Sequence, residues 1–215
     1  MELLLLIGGI LLLSGSKKAK EGKQKPQQGN LIAQNARFKD PKHNAFVENL
    51  AKELGIPAGW LFGLMYFETA KTLSPQSKVN CPGYGQNSRY NFCCGGLIGF
   101  CPVYSPKYDT YIDGSKVYQK GNILEQGIDY QLKYVRKFFL DGVRNFGRIK
   151  SKLDCYLMVF NPASIKFSSN PNHILGSKGD GNAESIKAMN PAFRDERANG
   201  YVTIRKINEV INQWF

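Results

Sequence analysis

Glu68 closes the apolar part of "LMYFETAKTLSP", Leu64 to Pro75, and it stands alone. After Glu53 it is the only acid before Asp109, in a chain with 17 acids among 215 residues. A carboxyl set among apolar side chains holds its proton to higher pH, and general-acid chemistry near neutrality needs such a group. "GGLIGF", Gly95 to Phe100, is a glycine-led apolar turn of the kind that lets a ligand approach the backbone. "YLMVFNPASI", Tyr156 to Ile165, carries Asn161 at the end of another apolar run. Asp109 and Asp113, beyond the glycine turn, are the candidates for a second carboxylate. Each piece alone has a plainer meaning: a solvated helix end, a turn plugging a core, a helix stop at Asn161-Pro162.

The cysteines pose a separate question. Cys81, Cys93, Cys94 and Cys101 fall within 21 residues, while Cys155 stands apart. Their spacing is not the paired C-x2-C of a zinc ribbon, and His43 and His173 are distant in sequence. No metal or other cofactor is expected. The four clustered cysteines are disulfide candidates, with free buried thiols as the alternative, and bridges imply an oxidising compartment. "DERANGYVTI" places Asp195, Asn199 and Gly200 at the first, fifth and sixth positions of a calcium loop. Arg197 and Lys206 occupy the third and twelfth, where ligands belong, so calcium is not expected.

The elements that must position these residues read as helices. Asp40-Pro41 gives an N-cap followed by a proline at the first helical position, and Gly55 supplies a stop. "PAGWLFGLMYFETA" is apolar almost all round, as a helix buried on every side is, and it delivers Glu68 at its C-terminal end. There the negative end of the helix dipole also resists ionisation. Residues 73–120 are rich in Pro, Gly, Asn, Ser and Cys, a long loop of the sort that is functional or covalently tied. Asn122 and Glu125 have capping-box spacing and predict a helix through "ILEQGIDYQLKYVRKFFL". Further helices are expected over "KSKLDCYLMVF", near "NAESIKAM" and from Thr203 to Trp214. With no convincing alternating strand, the fold class is mainly α.

Taken in order, these motifs resemble the lysozyme-like superfamily, whose pattern is Glu-Ser/Thr, then Gly-Leu-Met/Ile-Gln, then a helix closing on Tyr-Asn. More narrowly, "YFETAKTLSP", "GLIGF", "EQGIDYQLKYVRKFF" and "YLMVFNPASI" are similar to phage-encoded lytic transglycosylases and goose-type-like phage lysozymes. The similarity extends over roughly residues 42–212 and reaches "NPAFRDERANGYVT" near the end. The resemblance implies a lysozyme-like domain over residues 39–215, with a Cys-rich insertion at 76–101, that cleaves the β-1,4 bond between N-acetylmuramic acid and N-acetylglucosamine. It makes Glu68 the catalytic acid/base and places Thr69, Gly96, Leu97, Ile98, Gly99, Phe100, Tyr104 and Asn161 at the substrate. A transglycosylase needs one carboxylate, because the sugar's own 6-hydroxyl is the nucleophile, whereas a hydrolase needs two. The isolation of Glu68 favours the first. Two positions depart from the family: its Gln is Gly99, and its Tyr before Asn161 is Phe160, for which Tyr104 and Tyr156 are the possible replacements. Tyr66, Phe67, Tyr104 and Tyr108 are candidates to stack on sugar rings, with Phe67 better placed for the core.

The net charge of +12 and pI near 9.5 call for an anionic partner. No aromatic-basic RNA motif or recognition-helix pattern is present, so nucleic acid is not the expected one. Leu3 to Ser16 is uncharged, and 14 such residues make a helix of about 21 Å, short for a bilayer core of about 30 Å. Glu2 argues against a signal peptide, and Ser14-Gly15-Ser16 argues for one. The preferred reading is a membrane anchor at 1–16, with "KKAKEGKQK" beginning a basic flexible linker at 17–38. The partners expected are peptidoglycan and a membrane, the setting a virion or bacterial envelope, and the task wall opening as a virion enters or during lysis. A non-catalytic wall-binding component on the same fold is the alternative from another class.

Overall fold

Proline and glycine set the bounds of the first helix in the computed structural model. It describes residue 33, residues 35–77, 95–100 and 127–214, and the backbone of four two-residue strands between 104 and 122. Helix α1 spans Pro41–Leu54; the Asp40 carboxylate accepts from the Lys42 N–H at 2.9 Å, and Gly55 turns the chain left-handed at φ +69°. Both ends match the sequence expectation. Helix α2, Ala58–Glu68, buries Leu61, Phe62, Gly63, Leu64, Met65, Phe67 and Glu68, so it has no solvent face for most of its length.

The strands are minimal. Strand β1 (Tyr104–Ser105) pairs antiparallel with β4 (Gly121–Asn122), and β2 (Tyr111–Ile112) with β3 (Ser115–Lys116). Helix α3 then runs over Ile128–Phe146 from Gly127. The capping box expected at Asn122 and Glu125 therefore does not open this helix. Asn122 lies instead opposite Tyr104 in a ladder, and pairing with a distant strand has overridden a local signal. Gln131, Leu132, Val135, Phe139 and Gly142 form the buried stripe of α3.

Helix α4, Lys152–Phe160, is capped by Ser151 and stopped at Asn161-Pro162, whence a 3-10 turn covers Pro162–Phe167. Helix α5 spans Ala183–Met189, capped by Asn182. Strands β5 (Arg194–Asp195) and β6 (Tyr201–Val202) pair before the last helix, α6, Ile204–Trp214. Thr203 accepts from the Lys206 N–H at 3.1 Å at its start. The molecule is mainly α, as expected. Helices α1 and α3 pack together, α2 lies on α1 and α4, and α6 closes against α4. Two outcomes touch the tails. Ala33 and Phe38 are buried, and Phe38 meets Phe62 at 6.3 Å, so the end of the 17–38 linker belongs to the packed domain. The expected anchor at 1–16 lies outside the described residues; among those described, no helix is long and apolar enough to cross a membrane.

Two buried carboxylates fasten the C-terminal third. Asp180 accepts from Ser164 and, at 2.7 Å, pairs with His173, while the Lys178 N–H donates to it at 3.0 Å. Asp195, the first position of the calcium-like loop, is spent on Thr203, Arg197 and Arg205 at 2.7, 2.9 and 3.0 Å. The loop's third-position cation is thus itself the partner of the carboxylate. Burial alone raises a carboxyl pKa, but the hydrogen bonds from Ser164, His173, Lys178 and Gly176 outweigh it and hold Asp180 at about 2. A depressed folded pKa means stability present above the ordinary carboxyl range and lost as pH falls through about 2. Asp180→Ala is therefore expected to cost about 3 kcal/mol in urea unfolding at neutral pH, since it leaves Ser164 and His173 facing a void. A loss below about 1 kcal/mol contradicts the fastening role.

Candidate active site

Helix α2 ends in a doubled turn. The Lys71 N–H donates to Tyr66 C=O at 2.8 Å and the Ala70 N–H to Phe67 C=O at 3.1 Å, the pair of bonds of a Schellman motif. Glycine usually takes the left-handed position there, yet Ala70 holds it at φ +50°, followed by Lys71 at +71° and Leu73 at +52°. Thr69 steadies this strained passage. Its hydroxyl donates to Met65 C=O at 2.6 Å and accepts from the Leu73 N–H at 2.8 Å, and it is fully buried. Thr69, expected at the substrate, is instead an internal peg of the turn that presents Glu68.

The "GGLIGF" segment folds as a tight hairpin-like turn with the Gly95 N–H donating to Phe100 C=O at 3.1 Å. Gly96 and Gly99 sit at φ +77° and +66°. A Cβ on Gly99 would fall 3.0 Å from Oε2 of Glu68. Glycine at this position thus has a physical reading: any side chain at 99 adopts a strained backbone and presses on the carboxyl. Leu97, Ile98 and Phe100 point into the core, Gly96 is buried, and Gly99 is the part of the turn that reaches the surface beside Glu68. Those three apolar residues anchor the turn rather than face a ligand.

Glu68 itself is 7% exposed, and burial pushes its carboxyl up to about 8. At pH 7 it is protonated by roughly ten to one. Tyr156 of α4 lies within the field of Glu68: burial first, and then the Glu68 charge, raise its phenol well above the usual range. It meets Phe67 edge-on at 5.5 Å and stacks on Phe160 at 5.5 Å. Phe160 in turn meets Phe193 at 5.1 Å.

Asn161 is engaged within the chain. Its Nδ2 donates to Ser164 Oγ at 3.1 Å and to Asp180 C=O at 2.8 Å, so its amide belongs to the Asp180 fastening. Phe67 is core, as its helical spacing predicts. Tyr104 has a described backbone only, and Tyr108, Asp109, Asp113, Cys81, Cys93, Cys94 and Cys101 lie outside the described residues. Cys155 is a free, buried thiol held up by burial and by the neighbouring Asp154. No group of His, Cys, Asp and Glu suited to a metal ion occurs among the described residues. Gln131 and Pro75 were missed in the sequence; both lie in quoted motifs, but no local signal marks their contact. Protein-family models, curated proteins and solved structures give no match to this chain.

A raised folded pKa gives stability that is full below the ordinary carboxyl range and is lost as pH rises through about 8. Glu68→Gln removes that loss. Its stability is expected to track wild type near pH 4 and exceed it increasingly towards pH 9, by on the order of a few kcal/mol at most, read as a melting-temperature gap that widens with pH. A gap that stays constant across this range contradicts an elevated Glu68 pKa.

Proposed function

We propose that this protein cleaves peptidoglycan as a lytic transglycosylase, with Glu68 as the single catalytic acid/base of a lysozyme-like domain. The observation that carries the reading is a carboxyl buried at a helix end, held near pKa 8, with a glycine backbone against its oxygen. A neutral carboxyl in that setting donates its proton to the glycosidic oxygen between N-acetylmuramic acid and N-acetylglucosamine, and the C1–O4 bond breaks. The carboxylate left behind takes the proton of the muramic 6-hydroxyl as O6 bonds to C1. The product is a 1,6-anhydro sugar, water is not consumed, and Glu68 returns to its protonated form.

Burial is the cause of the Glu68 shift, and its isolation in the sequence, with no other acid between Glu53 and Asp109, supports one-carboxylate chemistry. The apolar N-terminal segment and its lysines support a membrane setting, and local opening of the wall from a phage virion or bacterial envelope is the task that goes with this reading.

Mass spectrometry of peptidoglycan digested with the full chain is the test. Anhydro-muropeptides are expected; reducing-end products alone move the assignment to a hydrolase using Asp109 or Asp113. Glu68→Gln keeps shape but transfers no proton, so activity is expected to fall by about 10²–10⁴-fold. Asp109→Asn and Asp113→Asn are expected to cost far less. Binding of peptidoglycan without cleavage by wild type favours the non-catalytic alternative.

A further inference from the structure

Gln131 sits on α3, and the chemistry above makes no use of it. Its side chain is fully enclosed. Oε1 accepts from the Leu97 N–H at 3.0 Å, and Nε2 donates to Pro75 C=O at 2.7 Å. One amide therefore joins two segments that both flank Glu68, the 69–77 passage leaving α2 and the 95–100 turn. A backbone tie runs beside it, from the Gly96 N–H to Ser77 C=O at 2.8 Å. Ser77 Oγ donates in turn to Thr69 C=O at 3.2 Å, next to Glu68. The fit at Gly96 is close: a Cβ there would lie 2.7 Å from Gln131 Oε1. A primary amide suits this place because it offers an acceptor and a donor on opposite prongs, where a carboxylate offers two acceptors.

We propose that Gln131 is a positioning residue for Glu68: its buried amide clamps the Gly96–Gly99 turn over the carboxyl and so keeps water from it. The idea rests on the reading of Glu68 as the acid, and it adds how the acid is kept dry. Gly99 lies so close that a Cβ there would fall 3.0 Å from Oε2, and, besides the burial of Leu97, Ile98 and Phe100, the turn that carries it is held by these ties to α3 and to residues 75–77. Loosening it admits water to the carboxyl and favours the charged form. Among the described residues, the titratable group facing Glu68 is Tyr156 from α4, and no charged group of α1, α3 or the 69–77 passage adds to its shift.

The test compares wild type, Gln131→Met, Glu68→Gln and the double variant. Methionine keeps the shape and removes both hydrogen bonds. Asn190→Ala, which loses a buried amide bond to Ile186 C=O (2.9 Å) far along the chain, is the control for lost stability alone. In activity, Gln131→Met is expected to lower kcat about tenfold and to move the basic limb of the pH profile down by about one pH unit. The control leaves that limb in place. In melting temperature, the gap between a Glu68 protein and its Gln counterpart widens with pH, and it is expected to widen less on the Gln131→Met background. An unmoved limb together with the same gap on both backgrounds overturns the clamp. If wild type does not cleave peptidoglycan, the reading of Glu68 as the acid fails, while the melting comparison still decides whether Gln131 controls its ionisation.

Discussion

A helix without a polar face has nowhere to send a carboxyl except through the core, and α2 ends in one. Leu61, Phe62, Leu64, Met65 and Phe67 commit that helix to the interior, so Glu68 emerges where water is scarce and the helix dipole opposes negative charge. Everything nearby accommodates this placement. The chain leaves α2 through three non-glycine residues in the left-handed region, each a local strain of order 1 kcal/mol. Thr69 pegs the turn from within, and Gly99 approaches because it has no side chain. The local strain is offset by burial of the apolar face, and the product is a carboxyl that stays neutral at neutral pH.

The other buried acids show that this outcome is not a general effect of burial. Asp180 and Asp195 are at least as enclosed as Glu68, yet hydroxyls, backbone N–H groups, His173 and two arginines donate to them and hold both carboxyls low. They are charged, paired and structural. At Glu68 burial wins instead. Set beside Asp180 and Asp195, Glu68 is the carboxyl poised to give up a proton near neutrality, and the direction of its shift separates it from those two, which hold the chain together.

Much of this was legible in the sequence because the signals were local. The Asp40-Pro41 start and Gly55 stop of α1, the all-apolar α2, the Asn161-Pro162 stop of α4 and the isolation of Glu68 each depend on neighbours within a turn or two. What failed depended on distant partners. Asn122 looked like a cap but pairs with Tyr104, and Phe38 looked like linker but packs on Phe62. Asn161 carries the right side chain for a sugar contact, but its amide is engaged by Asp180, 19 residues on. The Gln131 amide reaches partners 34 and 56 residues away, and no periodicity or spacing rule records such a bond.

The central claim is a statement about one proton, and a carboxyl-13C NMR titration of the folded protein reads it directly, with Glu68→Gln identifying the resonance. A midpoint near 8 is expected for Glu68, well clear of the ordinary carboxyl range. A midpoint between about 4 and 5 means an ionised carboxylate at neutral pH, and the account of Glu68 as a buried acid is then wrong.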